Sequence, residues 1–131
     1  MKIARIIILF ILLAHSCFGS DTKLIALEKA LSEAETQLDM NIRSKAVVDH
    51  WEKKLNKLEV KVQKDLDATA GALFEKAKTK WIEYRSAQIK FEGDLYRGGS
   101  IQPLIHNSTF IRITKERYNS LNELHPEGSY E

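Results

Sequence analysis

The sequence is almost without cysteine. Its 131 residues contain one, Cys17, which lies near the start of the chain. A single cysteine cannot form an internal disulfide, so the folded part of the chain must be stabilised by apolar packing. More than 100 residues follow Cys17, and a chain of that length can bury a sufficient apolar core on its own. We therefore expect one compact domain.

An excess of one charge is also missing. The chain has 20 Lys and Arg against 18 Asp and Glu, and Lys2 and Arg5 are the basic residues that precede Asp21, before which there is no acid. The part that starts at residue 20 therefore carries 20 − 2 = 18 basic and 18 acidic residues. The basic footprint typical of nucleic-acid-binding proteins is absent, so nucleic acid is not an expected partner.

Motifs of catalysis and metal binding are missing as well. No histidine pair has the spacing of a zinc site, and there is no GxSxG motif, phosphate-binding glycine loop or nucleophilic cysteine. Several glutamates lie at helical spacings from lysines, and we interpret them as part of a solvated face. These are Glu28, Glu33, Glu35, Glu52 and Glu59. The sequence predicts a protein that is not an enzyme, with no catalytic residues, metal or cofactor.

The first 20 residues have the pattern of an export signal. Lys2 and Arg5 precede an apolar run over residues 6–14, and small residues follow it. The run is shorter than the roughly 20 residues that cross a bilayer. We expect residues 1–19 to be a cleaved signal peptide and residues 20–131 to form a domain that acts in the periplasm or outside the cell.

Two alternatives to cleavage remain open. Residues 13–17 loosely resemble the cleavage motif of a lipoprotein, in which Cys17 would carry the lipid, although His15 fits that motif poorly. The second alternative is a retained N-terminal membrane anchor. With cleavage, no stable membrane span is expected.

Apolar residues recur at intervals of three and four along the rest of the chain, which predicts amphipathic helices. The first helix has Asp21 or Thr22 as its N-cap, and either continues into the second or breaks near Asn41. The first stripe comprises Leu24, Leu27, Leu31, Ala34 and Leu38; the second comprises Val47 or Val48, Trp51, Leu55, Leu58, Val62 and Leu66.

Two further stripes complete the pattern. We expect Gly71 to separate the second and third helices, and Gly98-Gly99 to end the third. Pro103 weakens the start of the fourth helix, whose firm part begins at Phe110. The third stripe comprises Phe74, Ala77, Trp81, Tyr84, Gln88, Phe91 and Leu95; the fourth comprises Phe110, Ile113, Arg117, Leu121 and Leu124. No segment alternates like a strand, so the fold class is all-α, a small antiparallel bundle of three to four helices.

Three segments of the second half carry a family resemblance. They read WIEYR at 81–85, GGSIQPLI at 98–105 and TKER at 114–117, and Leu55-Asn56 also matches. In order and spacing they resemble the N-terminal domain of LprI-type lysozyme inhibitors. The resemblance implies an exported helical domain, of a family in which some members inhibit lysozyme. The signature positions are Trp81, Tyr84, Arg85, Gly98, Gly99, Ser100 and Arg117.

The chain departs from that family at several places. Members usually carry cysteines that pair as disulfides, and none stands at those positions here. The substituted positions are Ile89, Thr109, Arg43 or Ser44 for the cysteines, and Ser86, Lys78 and Glu59 for a usual Asp, Gln and aromatic residue. The resemblance therefore implies a divergent member without disulfides, in which fold is inherited more securely than function.

The signature residues have a mainly structural interpretation. Trp81 and Tyr84 lie on the apolar stripe and are expected in the core, whereas Arg85 and Arg117 are expected to hold the 98–105 loop in place. Gly98 and Gly99 are interpreted as the turn itself. The polar residues left for contact with a partner are Ser100, Gln102 and His106.

Two functions from different classes agree with the sequence. The first is binding and inhibition of lysozyme or a related cell-wall hydrolase, by blocking its carboxylate-lined cleft. The second is a non-catalytic structural or adaptor module of the bacterial envelope, which an exposed apolar patch would favour. Both predict a protein partner, and neither specifies an oligomeric state.

Overall fold

The computed structural model describes residues 21–125, which form four α-helices and no strand. The helices are α1 (Thr22–Ser32), α2 (Gln37–Lys64), α3 (Ala68–Asp94) and α4 (Gln102–Leu124). The predicted all-α class is confirmed. The predicted signal peptide with Cys17, and the tail after residue 125, lie outside the described residues. Among residues 21–125, no helix is long and apolar enough to cross a membrane.

Short polar side chains fix where the first three helices begin. Asp21, Thr36 and Asp67 each occupy an N-cap and accept a hydrogen bond from a backbone N–H of the first turn. Thr36 starts α2 five residues before Asn41, so the expected break near Asn41 is displaced. Gly71 lies inside α3, and the expectation that it separates two helices is wrong because the Asp67 cap has already begun the helix.

Contacts between the helices define the topology. Arg43 of α2 donates to the carbonyl of Ala30 near the end of α1, whereas Asp21 before α1 lies against His50. The helices α1 and α2 are therefore antiparallel. Helix α4 lies parallel to α2 and antiparallel to α3, and it packs against both.

The apolar core is built mainly by α2. The predicted second stripe is buried except for the partly buried Leu66, and Trp51 meets Tyr118 of α4 edge to face, with ring centroids 5.6 Å apart. Burial of this stripe is the main contribution to the stability of the domain. The core residues are Leu24, Val47, Trp51, Leu55, Leu58, Val62, Tyr118 and Leu121.

Helix α3 is rotated relative to the face that its apolar residues predict. Tyr84 is 52 % exposed and Phe91 is 62 % exposed, so the expectation that Tyr84 lies in the core is wrong. The inward face instead carries Lys78, Arg85 and Glu92 at intervals of seven residues, together with Trp81. The rotation follows from the partners of these charged groups, which lie on α2 and α4.

Helix α4 begins eight residues earlier than its expected firm part at Phe110. Gln102 is its first residue, and Pro103 stands at its second position. Proline is tolerated there because the first backbone N–H groups of a helix have no partner within the helix. The segment expected to be a loop around Pro103 is therefore mostly helical, and the connection from α3 is confined to residues 95–101.

Candidate functional site

The connection between α3 and α4, residues 95–101, forms an exposed turn that we call the GGS turn. Each of residues 95–100 is exposed. Gly98 has a φ of 77°, which L-residues other than glycine rarely adopt, and this explains the glycine at that position. The interpretation of Gly98 and Gly99 as the turn itself is confirmed.

The base of the GGS turn is held by two side-chain hydrogen bonds, one from α2 and one from α4. Asn41 of α2 donates its amide to the carbonyl oxygen of Ser100 at 3.0 Å. Gln102 donates its amide to the carbonyl oxygen of Gly93 at 3.1 Å, which ties α4 to the end of α3. The turn thus presents exposed side chains on a fixed backbone.

The three residues predicted to contact a partner do not lie together on the surface. Only Ser100 is on the exposed turn. Gln102 and His106 are partly buried on the first turns of α4, where both face Gly93 of α3. These two side chains support the turn from within the domain.

Gly93 and His106 form a close contact that can be tested. A Cβ atom at Gly93 would lie 1.9 Å from Nε2 of His106. Gly93→Ala should therefore lower the free energy of unfolding by about 1–2 kcal/mol, as expected for an overpacked site. Urea denaturation followed by circular dichroism measures the change.

The double variant distinguishes this clash from a general effect of the substitution. With His106→Ala as the background, Gly93→Ala should instead stabilise by about 0.5–1 kcal/mol, because alanine is the better helix former. Equal effects in both backgrounds would show that His106 does not rest against Gly93.

Tyr96 and Arg97 are exposed side chains of the turn that were not among the predicted contact residues. Arg97 donates from Nε to Asp94 at 2.8 Å, and both partners are largely solvated. An aromatic and a basic residue directly before a double glycine were the available signal. These two residue types are enriched among those that dominate binding energy in protein interfaces.

A second group of signature residues lies inside the bundle, around a buried carboxylate. Glu59 of α2 is 2 % exposed, so its interpretation as part of a solvated face is wrong. Its two oxygens accept from Arg117 Nε of α4 and from Lys78 Nζ of α3, each at 2.8 Å. One acid therefore joins three helices.

Two arginines pack on aromatic rings beside this acid. The guanidinium of Arg85 lies 4.5 Å from the ring centre of Trp81 and 4.1 Å from that of Phe110, and it donates to the hydroxyl of Thr114 at 3.1 Å. Burial lowers the pKa of Arg85 below its ordinary value. Arg117 lies 4.8 Å from the same Trp81 ring. The expectation that these arginines hold the 98–105 loop is wrong, because their partners lie in the middle of α2, α3 and α4.

Two departures from the family pattern are thereby explained together. Glu59 and Lys78 stand where the resemblance implies an aromatic residue and a glutamine, and here they form an ion pair with each other. Thr109, at one expected cysteine position, donates to Glu92 of α3 at 2.6 Å. Hydrogen bonds from Thr109 and Gln88 hold the pKa of Glu92 below its ordinary value. Polar contacts therefore link α3 and α4 in a domain without disulfides.

Within residues 21–125, no group of three or more His, Cys, Asp or Glu side chains is arranged to hold a metal ion. The geometry offers an exposed, anchored turn and a buried network that positions the helices. The turn is thus the candidate functional site.

Comparisons with known proteins place the chain in a family. The family described as lysozyme inhibitor LprI matches residues 28–121, which is most of the chain. An uncharacterized protein of Rhizobium meliloti (strain 1021) is 40 % identical over 63 residues. That match covers 46 % of this chain and 45 % of the relative, so it spans less than half of the relative's length. No solved structure matches the chain.

Proposed function

Because this chain belongs to the lysozyme inhibitor LprI family, we propose that it binds a lysozyme-like hydrolase outside the cytoplasm and blocks its cleft with the GGS turn. The proposal includes export directed by residues 1–19. It assigns no catalytic step to this chain.

The observation that carries the proposal is an exposed turn on a fixed base. Hydrogen bonds from Asn41 and Gln102 hold the backbone at both ends of the turn. A loop that is already ordered loses little conformational entropy on binding, so more of its contact energy appears as affinity. An exposed turn with an anchored base suits contact with a cleft.

The chemistry of the turn suits a cleft lined by carboxylates. Glycoside hydrolases of this type use a pair of Asp or Glu side chains. The guanidinium of Arg97 is 77 % exposed and its partner Asp94 is also solvated, so exchange for a carboxylate of the hydrolase costs little. Arginine binds carboxylates with two parallel hydrogen bonds. The hydroxyl of Ser100 offers a further donor next to it.

The experiment compares binding and inhibition by matched variants of the turn. Arg97→Ala and Tyr96→Ala should each weaken binding to a lysozyme by about 1–3 kcal/mol and reduce inhibition of cell-wall hydrolysis in parallel. The melting temperature should stay unchanged, because both side chains are exposed. Lys90→Ala, an exposed position on α3, is the control and should bind like the parent chain.

Two results would contradict the proposal. If both turn variants inhibit as strongly as the parent, the turn does not make the contact. If the parent binds no lysozyme tested at tens of micromolar, the inhibitor function itself fails for this chain.

The adaptor function has a specific observation of its own. The outward face of α3 exposes Leu73, Tyr84 and Phe91, each more than half accessible, along one side of the helix. Exposed apolar patches often mark protein interfaces. Substitution of Tyr84 and Phe91 by serine would impair an adaptor, yet leave inhibition through the GGS turn intact.

A further inference from the structure

One face of the second half of α2 carries a row of lysines that have no acidic partner among residues 21–125. Lys53, Lys57, Lys61 and Lys64, which we call the lysine row, are all exposed. Their spacing of four, four and three residues aligns them along roughly 16 Å of the helix. Val60, which is 54 % exposed, lies among them.

In the first half of α2, by contrast, basic residues form ion pairs with acidic residues of the same helix. Arg43 pairs with Asp39 and Lys45 with Asp49, each one helical turn apart. None of the four lysines of the row forms an ion pair or a side-chain hydrogen bond with any part of residues 21–125. Like charges at this spacing destabilise a helix, so the row opposes the stability of α2.

The helix dipole explains only part of the row. Basic residues are favourable near the C-terminus of a helix, and the effect fades beyond the last turn. It therefore accounts for Lys61 and Lys64, which lie in the last turn of α2. Lys53 lies more than two turns earlier, and with Lys57 it needs another explanation.

We propose that the lysine row is a docking surface for an anionic phospholipid membrane. An exposed basic helix face with an apolar residue among the lysines matches the headgroup region of such a membrane in charge and polarity. This inference does not depend on the binding of lysozyme.

The start of the described chain supports a membrane as the partner. The carboxylate of Asp21 lies 3.2 Å from Nζ of Lys54 and 2.7 Å from Nε2 of His50. The described chain therefore starts against the middle of α2, at Lys54, which directly follows Lys53 in the sequence. A lipid on Cys17, or a retained anchor, would place the lysine row near the membrane, and the row would supply the second of the two signals that stable attachment needs.

The test measures partition of the exported protein onto vesicles by sedimentation. The parent should bind vesicles that contain phosphatidylglycerol and should be released as the ionic strength rises toward 1 M. Each lysine near an anionic surface contributes about fivefold. Replacement of Lys53, Lys57, Lys61 and Lys64 by Gln should therefore reduce partition by nearly three orders of magnitude, roughly 600-fold.

A second quadruple variant has the same net charge and is the matched control. Replacement of Lys29, Lys76, Lys80 and Lys90 by Gln removes four exposed lysines from α1 and α3, and it should reduce partition much less. All variants share one N-terminus, so any contribution of residues 1–20 cancels in the comparison.

Three outcomes would overturn the proposal. The first is equal binding to vesicles of phosphatidylcholine alone, and the second is an equal loss in both quadruple variants. The third is binding of a soluble anionic polysaccharide through the row without binding of vesicles, which would assign the row to a polymer instead.

Discussion

Replacement of Arg117 by methionine is expected to lower the free energy of unfolding by about 3–5 kcal/mol, the cost typical of breaking a buried ion pair from one side. The variant leaves the carboxylate of Glu59, which is 2 % exposed, without the donor that approaches it from α4. Lys78 remains, but its partly exposed chain compensates for one oxygen only. Urea denaturation measures the loss.

A double variant that also replaces Glu59 tests whether the loss comes from the unpaired carboxylate. In a Glu59→Met, Arg117→Met double variant no uncompensated charge is buried, since Lys78 can extend its ammonium group to water. Most of the lost stability should return, because a buried ion pair contributes little more than well-packed apolar residues. A single variant that costs less than about 1 kcal/mol would show that Glu59 does not depend on Arg117.

Replacement of Trp51 by alanine should have an effect of similar size, about 3–5 kcal/mol, for a different reason. Trp51 is 4 % exposed, and its removal leaves a cavity against Tyr118. The ammonium groups of Lys54 and Lys115, which lie 5.3 and 5.6 Å from its ring centre, also lose their aromatic contact. Thermal and urea unfolding both report the loss.

Tyr84→Ala is the matched control for this core variant. Tyr84 is an aromatic residue of the apolar stripe predicted for α3, but it is half exposed. Its replacement should change stability by no more than about 0.5 kcal/mol. A larger loss at Tyr84 than at Trp51 would reverse the assignment of the core to α2.

The sequence was sufficient to predict the fold class and the face of α2 that is buried. The stripe from Val47 to Leu66 contains apolar residues at nearly all inward positions, Glu59 being the exception, so hydrophobic periodicity identifies it directly. The break between α1 and α2 was displaced because the apolar spacing continues through Ala34 and Leu38. Thr36 with Asp39 three residues later was the stronger signal, since together they form an N-cap.

The orientation of α3 was not predictable from hydrophobic spacing. Its inward face contains Lys78, Arg85 and Glu92, whose partners are distant in sequence, and its outward face contains Tyr84 and Phe91. Hydrophobic periodicity always assigns the apolar face of a helix to the core, so it cannot identify a helix whose charged face points inward. The one available signal was Glu59, which lies inside the second stripe between Leu58 and Val62. An acid at a buried position requires cationic partners, and Lys78 of α3 is one of them.

The sequence predicted where the GGS turn lies, but not which of its side chains are exposed. The glycines located the turn, because Gly98 requires a left-handed backbone. Pro103 suggested a longer loop than the structure has, and this is why Gln102 and His106 were assigned to the surface. Tyr96 and Arg97 follow no helical periodicity, their position directly before the double glycine was the only signal, and their exposure depends on where α3 ends.

The position of α4 has a consequence for how the chain is made. Helix α4 lies against both α2 and α3 and supplies Tyr118 and Leu121 to the core. It also supplies Arg117 to Glu59. Of the four described helices, α4 is synthesised last, so α2 and α3 have neither their apolar cover nor their charge partner before it is made. We therefore expect the cooperative packing of α2 and α3 to require that α4 has been made.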